Sequence, residues 1–209
     1  MRILIIDDHA VMRSGLKLIL SEVFRDVKFG EAEDSPKGLE VALAHMWDLI
    51  ILDVSMPGRG GLDVLKEFHM QRPKTPVLVL SMHAERPFAV RAFRSGAAGY
   101  LTKASAGSEL IRAVERILAG GRYVSAVMAE QLASELGSPG SGLLHERLSD
   151  REFEILQCIA RGKTVKEIAC ELVLSSNTIS TYRARILEKM KMQTNAELTH
   201  YAISNHLAE

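Results

Sequence analysis

Carboxylate, hydroxyl and amine side chains follow short apolar runs in the first half of the sequence. Each run has the length and composition of a strand that is buried on both faces of a parallel sheet. The carboxyl ends of parallel strands share one edge of the sheet, and ligands bind beyond that edge. We therefore expect five side chains to meet there: Asp7, Asp8, Asp53, Ser81 and Lys103.

Each of these residues has a simpler explanation when it is considered alone. An aspartate at the end of a strand often caps the next helix, and a lysine there is often only solvated. Chance would scatter such residues instead of placing five of them at the ends of several strands. We therefore interpret the five residues as one site.

This combination of side chains favours phosphoryl transfer to a carboxylate. Asp53 would be the nucleophile, while Lys103 and the Ser81 hydroxyl would bind oxygens of the acyl phosphate. Three clustered carboxylates repel one another unless a hard cation joins them. We expect this cation to be Mg²⁺, held by Asp8, by Asp53, by the backbone carbonyl of Ser55 and, through water, by Asp7.

Apolar runs alternate with helical patterns through residues 1–122. Parallel strands need crossover connections, and right-handed crossovers place helices on both faces of a sheet. The pattern therefore predicts an α/β domain with a doubly wound, five-stranded parallel sheet over residues 1–122. Strands are predicted at 3–6, 27–31, 49–53, 77–80 and 99–101.

Some of the intervening helices are predicted in more detail. Val11, Leu16 and Leu18 are among the apolar residues at helical spacing in the segment 10–23. Ser35, followed by Pro36, has the look of an N-cap for a helix that runs to residue 44. The last helix of the series, at 108–118, is expected to face inward through Leu110, Ile111, Val114, Ile117 and Leu118.

Residues 123–146 are interpreted as a linker. A helix is predicted at 125–136, and the stretch Gly137–Gly142 contains only glycine, serine and proline. This composition is typical of a connection between two domains.

Residues 147–209 predict a small all-α domain of four short helices. Ser149 and Glu152 form the sequence pattern of a capping box at the start of the first helix. The second and third helices, at 164–172 and 177–190, are separated by a brief turn, which is the pattern of a helix-turn-helix. The fourth helix is predicted at 195–206.

The composition excludes several classes of protein. The chain has 209 residues with 26 basic and 26 acidic side chains, so bulk charge indicates no particular partner. No apolar run approaches the ~20 residues of a membrane span, and acidic residues come too early for a signal peptide. We expect a cytoplasmic protein in which Cys158 and Cys170 are reduced, buried thiols.

Four segments together resemble the receiver domain of bacterial two-component response regulators: Asp7-Asp8-His9, Asp53–Gly58, Ser81 and Gly99–Lys103. The resemblance covers residues 1–122 and implies the flavodoxin-like strand order 2-1-3-4-5. It also implies that Asp53 takes a phosphoryl group from a phosphohistidine of a sensor histidine kinase. The Ser81 hydroxyl would then move toward the phosphoryl group, and Tyr100 would turn inward.

The sequence departs from the usual receiver pattern at two positions. Lys103 is followed by Ala104 where proline is common, so no cis peptide bond is expected. Gly60 occupies a position that is frequently acidic or an amide in this family, which leaves the contacts of that loop open.

The carboxyl-terminal segment resembles the LuxR-type DNA-binding domain, which places the whole chain among NarL/FixJ-like response regulators. The residues that carry this resemblance are Leu148–Glu152, Ile168-Ala169, Leu172, Leu174-Ser175, Asn177–Ile179 and Arg185–Met190. Ile179, Ile186 and Met190 are expected to pack inward. Candidates for contacts to base edges are Ser180, Thr181, Ala184 and Arg185, and candidates for contacts to phosphates are Arg183, Arg185, Lys189 and the amides of Asn177 and Thr178.

The sequence therefore indicates a phosphorylation-controlled transcription regulator that is not an enzyme. It would act as a homodimer on double-stranded promoter DNA, and Leu198, Tyr201 and Ala202 of the last helix could supply the dimer contact. One alternative is a receiver whose output domain binds a protein and not DNA, because basic and acidic residues are equal in number over 145–209. Another is a phosphatase with an aspartate nucleophile, but Ser55 stands where such enzymes usually have a second acid.

Overall fold

The computed structural model describes residues 1–56, 61–82, 86–125, 129, 143–205 and 207. The chain divides into two compact units, Met1–Gly137 and Ser138–Glu209. Among the described residues, no helix has the length and apolarity that crossing a membrane requires.

The first unit contains a five-stranded parallel sheet, which confirms the predicted α/β fold. Its strand order is β2-β1-β3-β4-β5, the doubly wound order that the resemblance to receiver domains implied. Every residue of the central strand β3 is buried, so the strand lies in the middle of the sheet with helices on both sides. The strands are β1 (Arg2–Ile6), β2 (Lys28–Ala32), β3 (Leu49–Asp53), β4 (Val77–Ser81) and β5 (Gly99–Thr102).

Five helices connect and cover these strands. Successive side chains of a strand point to opposite faces, and the two faces of β1 pack against different helices. Ile3 and Ile5 belong to a core that includes residues of α1 and α5, whereas Ile6 lies against Gly38 of α2. The helices are α1 (Ala10–Val23), α2 (Ser35–Ala44), α3 (Gly61–Gln71), α4 (Arg86–Arg94) and α5 (Ala106–Leu118).

The predicted N-cap of α2 is wrong by one residue. Asp34 is the N-cap, and its carboxylate accepts a hydrogen bond from the Lys37 amide at 2.7 Å. Ser35 is already helical and is buried. Aspartate and serine are about equally good N-caps, and Pro36 fits either of the first helical positions, so the sequence alone did not separate the two registers.

Apolar periodicity predicted more buried positions in α1 and α5 than the structure contains. Leu16 and Leu20 are the buried residues of α1, whereas Val11 is 86% exposed and Leu18 is 65% exposed. In α5, Leu118 is likewise exposed, although the other predicted positions are buried or half-buried. A helix that packs on only one side buries a single stripe, so apolar residues outside that stripe stay exposed.

The second unit consists of short helices, as predicted, preceded by one turn of 3₁₀-helix. Serine and threonine side chains cap α6 to α9, and Ser149–Glu152 and Thr164–Glu167 form complete capping boxes. The elements are the 3₁₀-helix Leu144–Arg147, α6 (Asp150–Ala160), α7 (Val165–Glu171), α8 (Ser176–Met190) and α9 (Asn195–Ser204). The two helices of the helix-turn-helix are α7 and α8.

The predicted domain boundaries stay predictions. The helix predicted at 125–136 and the Gly/Ser-rich stretch at 137–142 lie outside the described residues, apart from Ser125 and Ala129. The loop residues 57–60, which include Gly60, also lie outside them. The 3₁₀-helix belongs to the second unit, because the His145 Nδ1 atom lies 3.1 Å from the Tyr201 hydroxyl of α9.

Both cysteines are free, but only one is buried. Burial raises the pKa of the Cys158 thiol to about 11. Cys170 is exposed, which corrects the expectation of two buried thiols. Cys170 lies on α7, which has one face toward solvent.

Two glycines in helices give opposite predictions for substitution by alanine. A Cβ atom at Gly61 would lie 2.3 Å from the Val54 Cα atom, whereas a Cβ atom at Gly15 would meet nothing within 4 Å. We expect Gly61→Ala to lower the free energy of unfolding by about 1–3 kcal/mol because α3 must move away from the loop after Asp53. Gly15→Ala should raise it by about 0.5–1 kcal/mol, since alanine has less backbone freedom to lose.

Chemical denaturation of the full chain, followed by far-UV circular dichroism, measures both effects. Equal effects of the two substitutions would contradict the close approach of α3 to Val54.

Candidate functional site

Asp53 ends the central strand and is held from two sides. Its side chain is 1% exposed. The Ser55 amide donates to Oδ1 at 2.7 Å, and the Lys103 ammonium donates to Oδ2 at 2.7 Å. The carboxylate therefore has a fixed orientation. Its position at the carboxyl edge of the sheet agrees with the expectation from the strand pattern.

Asp7 and Asp8 follow the neighbouring strand β1 and reach the same edge. Asp7 is 1% exposed, and its Oδ1 atom accepts a hydrogen bond from the His9 amide at 2.8 Å. The Asp7 Oδ2 atom lies 2.9 Å from Lys103 Nζ, so one lysine contacts the carboxylates of two strands. Asp8 is partly exposed, and its Oδ1 atom lies 2.8 Å from His9 Nδ1.

Ser81 and Lys103 are brought together by the pairing of β4 with β5. Ser81 pairs with Thr102, and the Lys103 amide donates to the Ser81 carbonyl oxygen at 2.8 Å. The side chains of Ser81 and Tyr100 are both buried. No described peptide bond is cis, in agreement with the expectation for Lys103-Ala104.

Burial and ion pairing act against each other at this site. Burial raises the pKa of Asp53, and the hydrogen bonds from Lys103 and Ser55 only partly offset it. Burial also disfavours the charge on Lys103, but its hydrogen bond to Asp53 and its close contact with Asp7 outweigh burial and raise the pKa of the ammonium. Lys103 therefore stays charged, and its one ammonium contacts two carboxylates, those of Asp7 and Asp53.

The donor atoms of this cluster could hold a divalent cation. Ligand atoms of Asp7, Asp8, His9 and Asp53 all lie within 4.8 Å of one another. Asp7 Oδ2 and Asp8 Oδ1 are buried without a well-directed hydrogen bond, although Lys103 and His9 lie near them. Buried carboxylate oxygens with unused acceptor capacity are the ligands that hard cations such as Mg²⁺ prefer. His9, which directly follows the two aspartates in the sequence, also lies within the cluster.

In the second unit, α8 presents one polar face to solvent. Ile179, Ile186 and Met190 are fully buried, as predicted. The predicted DNA-contacting residues lie on the other side of the helix. Of these, Asn177, Ser180, Thr181, Ala184, Arg185 and Lys189 are exposed, whereas Thr178 and Arg183 are half-buried.

Some of the predicted phosphate contacts already have partners within the second unit. Arg183 Nε donates to Asn195 Oδ1 at 2.6 Å, and the Thr178 amide donates to Ser175 Oγ at 3.0 Å. Among the described residues, Arg185 has no ion-pair partner. Its guanidinium is therefore the cation on α8 that can reach an anion without breaking a contact.

Lys189 binds a carboxylate that sequence reasoning did not connect to it. Lys189 Nζ donates to Glu152 Oε2 at 2.6 Å, and the Ser149 amide donates to the same oxygen at 2.7 Å. Burial raises the pKa of Glu152, but the bonds from Lys189 and Ser149 outweigh it and lower the pKa. The contact joins α6 to α8, so Lys189 contributes to the position of α8.

The fold and the two sites define a class of protein: a receiver-type α/β domain with an acidic site at the carboxyl edge of its sheet, followed by a helix-turn-helix domain. Comparison of the sequence with known families agrees. Residues 3–115 match the response regulator receiver domain, and residues 146–202 match the bacterial regulatory proteins of the luxR family. The chain belongs to the NarL/FixJ family of two-component response regulators.

Individual relatives match over nearly the whole chain. Response regulator UvrY of Escherichia coli K12 is 32% identical over 206 residues, covering 98% of this chain and 94% of that protein. Response regulator GacA of Pseudomonas protegens is 34% identical over 208 residues, covering 100% of this chain and 98% of that protein.

Solved structures of RcsB are also similar to this chain. RcsB from Salmonella enterica serovar Typhimurium, bound to the promoter P1flhDC in the presence of the phosphomimetic BeF₃⁻, is 26% identical with a TM-score of 0.61, covering 96% of this chain and 97% of that chain. A structure of two RcsB dimers bound to two parallel DNAs is 25% identical with a TM-score of 0.60, covering 98% of each chain.

The balance of burial and pairing at Asp53 predicts the effect of removing its charge. The ionised carboxylate costs stability at neutral pH because its folded-state pKa is raised. We expect Asp53→Asn to raise the free energy of unfolding of the first unit at pH 7 by roughly 1 kcal/mol. The gain should shrink as the pH falls through the folded-state pKa, and it should vanish below the unfolded-state value of about 4.

Urea denaturation in the presence of a chelator measures this difference without a contribution from bound metal. Asp34→Asn is the matched control, because asparagine is an equally good N-cap at the start of α2. If Asp53→Asn is no more stable than wild type at pH 7, burial of the Asp53 carboxylate does not outweigh its pairing with Lys103.

Proposed function

We propose that this chain accepts a phosphoryl group on Asp53 from a phosphohistidine of a sensor histidine kinase and then regulates transcription by binding promoter DNA through α8. The observation that carries the proposal is the convergence of Asp7, Asp53 and Lys103 at one edge of the sheet. Lys103 Nζ lies 2.9 Å from Asp7 Oδ2 and 2.7 Å from Asp53 Oδ2. Family membership and the helix-turn-helix in the second unit support the output on DNA. A cytoplasmic location follows from these partners.

The transfer step needs little covalent chemistry from the protein. A carboxylate oxygen of Asp53 forms a bond to phosphorus as the phosphorus–nitrogen bond to the donor histidine breaks. The imidazole leaves and takes up a proton, and Asp53 becomes an acyl phosphate. Lys103, which already contacts Asp53 Oδ2, is placed to follow the new negative charge onto the phosphoryl oxygens.

Mg²⁺ fits this site and would be held by Asp8, Asp53 and the Ser55 backbone carbonyl, with Asp7 acting through water. The unused acceptor capacity of the buried oxygens of Asp7 and Asp8 supports this assignment. When bound, the cation supplies charge neutralisation for the transferring phosphoryl group. The chain's own groups orient the acceptor: Ser55 through its amide and Lys103 through its ammonium.

Ser81 and Tyr100 are the proposed switch residues. Ser81 is the last residue of β4, and the residue before it pairs with Asp53 of β3, so Ser81 lies at the edge of the sheet where the phosphoryl group would form. Tyr100 lies on β5, two residues before Thr102, which pairs with Ser81. A movement of Ser81 toward the phosphoryl group would therefore be transmitted to the strand that carries Tyr100.

DNA binding is proposed for the exposed face of α8. Ser180, Thr181, Ala184 and Arg185 are exposed on this face, as contacts to base edges require. The amide of Asn177 lies in the first turn of a long helix, where the positive end of the helix dipole favours a phosphate. Arg183 and Lys189 would contribute phosphate contacts only after exchanging their partners Asn195 and Glu152.

A homodimer is proposed through α9, but through a different face from the one the sequence suggested. Leu198 and Ala202 are fully buried in the second unit, so they cannot supply the contact. Ile203 is 55% exposed on the opposite side. Tyr201, the third residue of the predicted contact, is half-buried and lines a groove together with Met192, Ala196, Glu197, His200, Ser204 and Asn205.

The proposed domains are a receiver at 1–122, a linker at 123–146 and a DNA-binding domain at 147–209. The alternative of a protein-binding adaptor output keeps the receiver unchanged. It is less well supported, because the exposed cation Arg185 lies on a helix-turn-helix. A phosphatase is disfavoured because Ser55 cannot act as a general acid.

Phosphorylation and DNA affinity should change together. Genome-wide mapping of bound DNA with wild type and Asp53→Asn identifies the target sites, and gel shifts on one such site give affinities. With a small acyl phosphate donor and Mg²⁺, we expect wild type to bind at least tenfold more tightly than Asp53→Asn. Arg185→Ala should weaken binding and reduce the slope of log affinity against log salt by about 1, because one phosphate contact is lost.

Lys28→Ala is the control, since it removes an exposed cation from the first unit and should leave the salt slope unchanged. A salt-insensitive interaction, or no shift on any DNA, would favour the adaptor alternative.

Dimer formation should depend on the exposed face of α9. Ile203→Glu places a charge on that face without touching the core, so we expect the phosphorylated variant to sediment as a monomer where wild type sediments as a dimer. Met70→Glu is a matched control, because Met70 is an exposed apolar residue of α3. A dimer that survives Ile203→Glu would place the contact elsewhere.

A further inference from the structure

The backbone of Asp7 is held by a side chain from α1. β1 ends at Ile6, and the Asp7 amide still donates to the Ala32 carbonyl of β2 at 3.2 Å. The Asp7 carbonyl oxygen accepts a hydrogen bond from Arg13 Nη1 at 2.6 Å. The peptide group between Asp7 and Asp8 is therefore fixed where the strand gives way to the loop.

Arg13 is itself fixed by a carboxylate on β2. Arg13 Nε donates to Glu31 Oε2 at 3.1 Å, and Lys17 Nζ donates to Glu31 Oε1 at 2.5 Å. The hydrogen bond from Lys17, with a further contribution from Arg13, lowers the pKa of Glu31, so this carboxylate stays ionised. The Arg13 side chain is only 14% exposed, which limits the conformations it can adopt.

We propose that Arg13 is a positioning residue for the acidic site. By fixing the peptide group between Asp7 and Asp8, it sets the direction in which both carboxylates leave the backbone, and so prepares them to hold a divalent cation. The proposal rests on the proposed function, in which this site binds Mg²⁺. It goes beyond that function because Arg13 lies outside the acidic cluster. In the described hydrogen bonds, Arg13 binds the backbone carbonyl of Asp7 and none of the carboxylate oxygens of the cluster.

Geometry, and not charge, is the basis of this role. Arg13 and Lys17 share the single carboxylate of Glu31, so these three side chains keep one net positive charge. Arg13→Lys keeps the charge of Arg13 and Lys17→Met removes an equal charge nearby, so the two variants separate charge from geometry. The guanidinium donates from two nitrogens in a fixed fork, one toward Glu31 and one toward Asp7. A lysine has a single ammonium on a flexible stem and cannot reproduce both directions at once.

The test compares Mg²⁺ binding to the full chain by isothermal titration calorimetry in wild type, Arg13→Met, Arg13→Lys and Lys17→Met. Loss of a group that orients metal ligands typically weakens affinity by about tenfold or more. We expect about a tenfold loss for Arg13→Met and at least a threefold loss for Arg13→Lys. Lys17→Met should stay within twofold of wild type, because it loses the same carboxylate partner but leaves the Asp7 carbonyl bound.

Hydrogen exchange of the Asp8 and His9 amides, measured without metal, provides a second readout. Exchange should be faster in Arg13→Met than in Lys17→Met. A general loss of stability would instead speed exchange throughout the first unit. If Arg13→Met does not fold, Arg13→Lys decides the question by the same two measurements.

The outcomes separate this inference from the proposed function. If wild type binds Mg²⁺ and both Arg13 variants bind it equally well, the positioning role is overturned and the proposed function stands. The role is also overturned if Lys17→Met loses as much affinity as Arg13→Met. If wild type itself does not bind Mg²⁺, the proposed metal site is overturned, and the inference with it.

Discussion

The contact of Lys103 with Asp53 and Asp7 is the interaction on which the geometry of the acidic site depends. Lys103 follows β5, Asp53 ends β3 and Asp7 follows β1, and β4 lies between β5 and β3. With strands about 4.8 Å apart, the lysine side chain has to cross the end of β4 to reach Asp53. Ser81 is the last residue of β4 and lies at that end. The reach of the lysine to Asp53 therefore depends on the sheet order and on where β4 ends.

The second unit uses a similar pair for a different purpose. Glu152 is buried at the start of α6, and Lys189 reaches it from near the end of α8. Removing one partner of such a pair leaves a buried charge without compensation, which costs more than the intact pair contributes. Lys189 is thus held in place by a contact that stabilises the domain, whereas Arg185 on the same helix has no ion-pair partner among the described residues.

The sequence predicted the groups at the strand ends because the strand pattern itself fixes where they lie. Asp53 and Lys103 needed only the rule that parallel strands end at one edge. Arg13 could not be found in this way, since its hydrogen bond to a backbone carbonyl depends on the exact approach of α1 to β2. The exposure of Val11 was missed for a related reason: periodicity shows that a helix has an apolar face but not which residues find a partner.

On the proposed function, phosphorylation changes the electrostatic balance that the resting site maintains. Burial disfavours a charge on Asp53, and Lys103 only partly offsets this cost. An acyl phosphate moves the negative charge outward from the Asp53 carboxylate to oxygens that Lys103 and Ser81 can reach. The Lys103 ammonium would then be attracted away from Asp7 toward the phosphoryl oxygens, and the Ser81 hydroxyl would gain a hydrogen-bond acceptor. Ser81 pairs with Thr102 of β5. On the proposed function, the loss of buried charge at Asp53 would therefore be coupled to a movement of the strand that carries Tyr100.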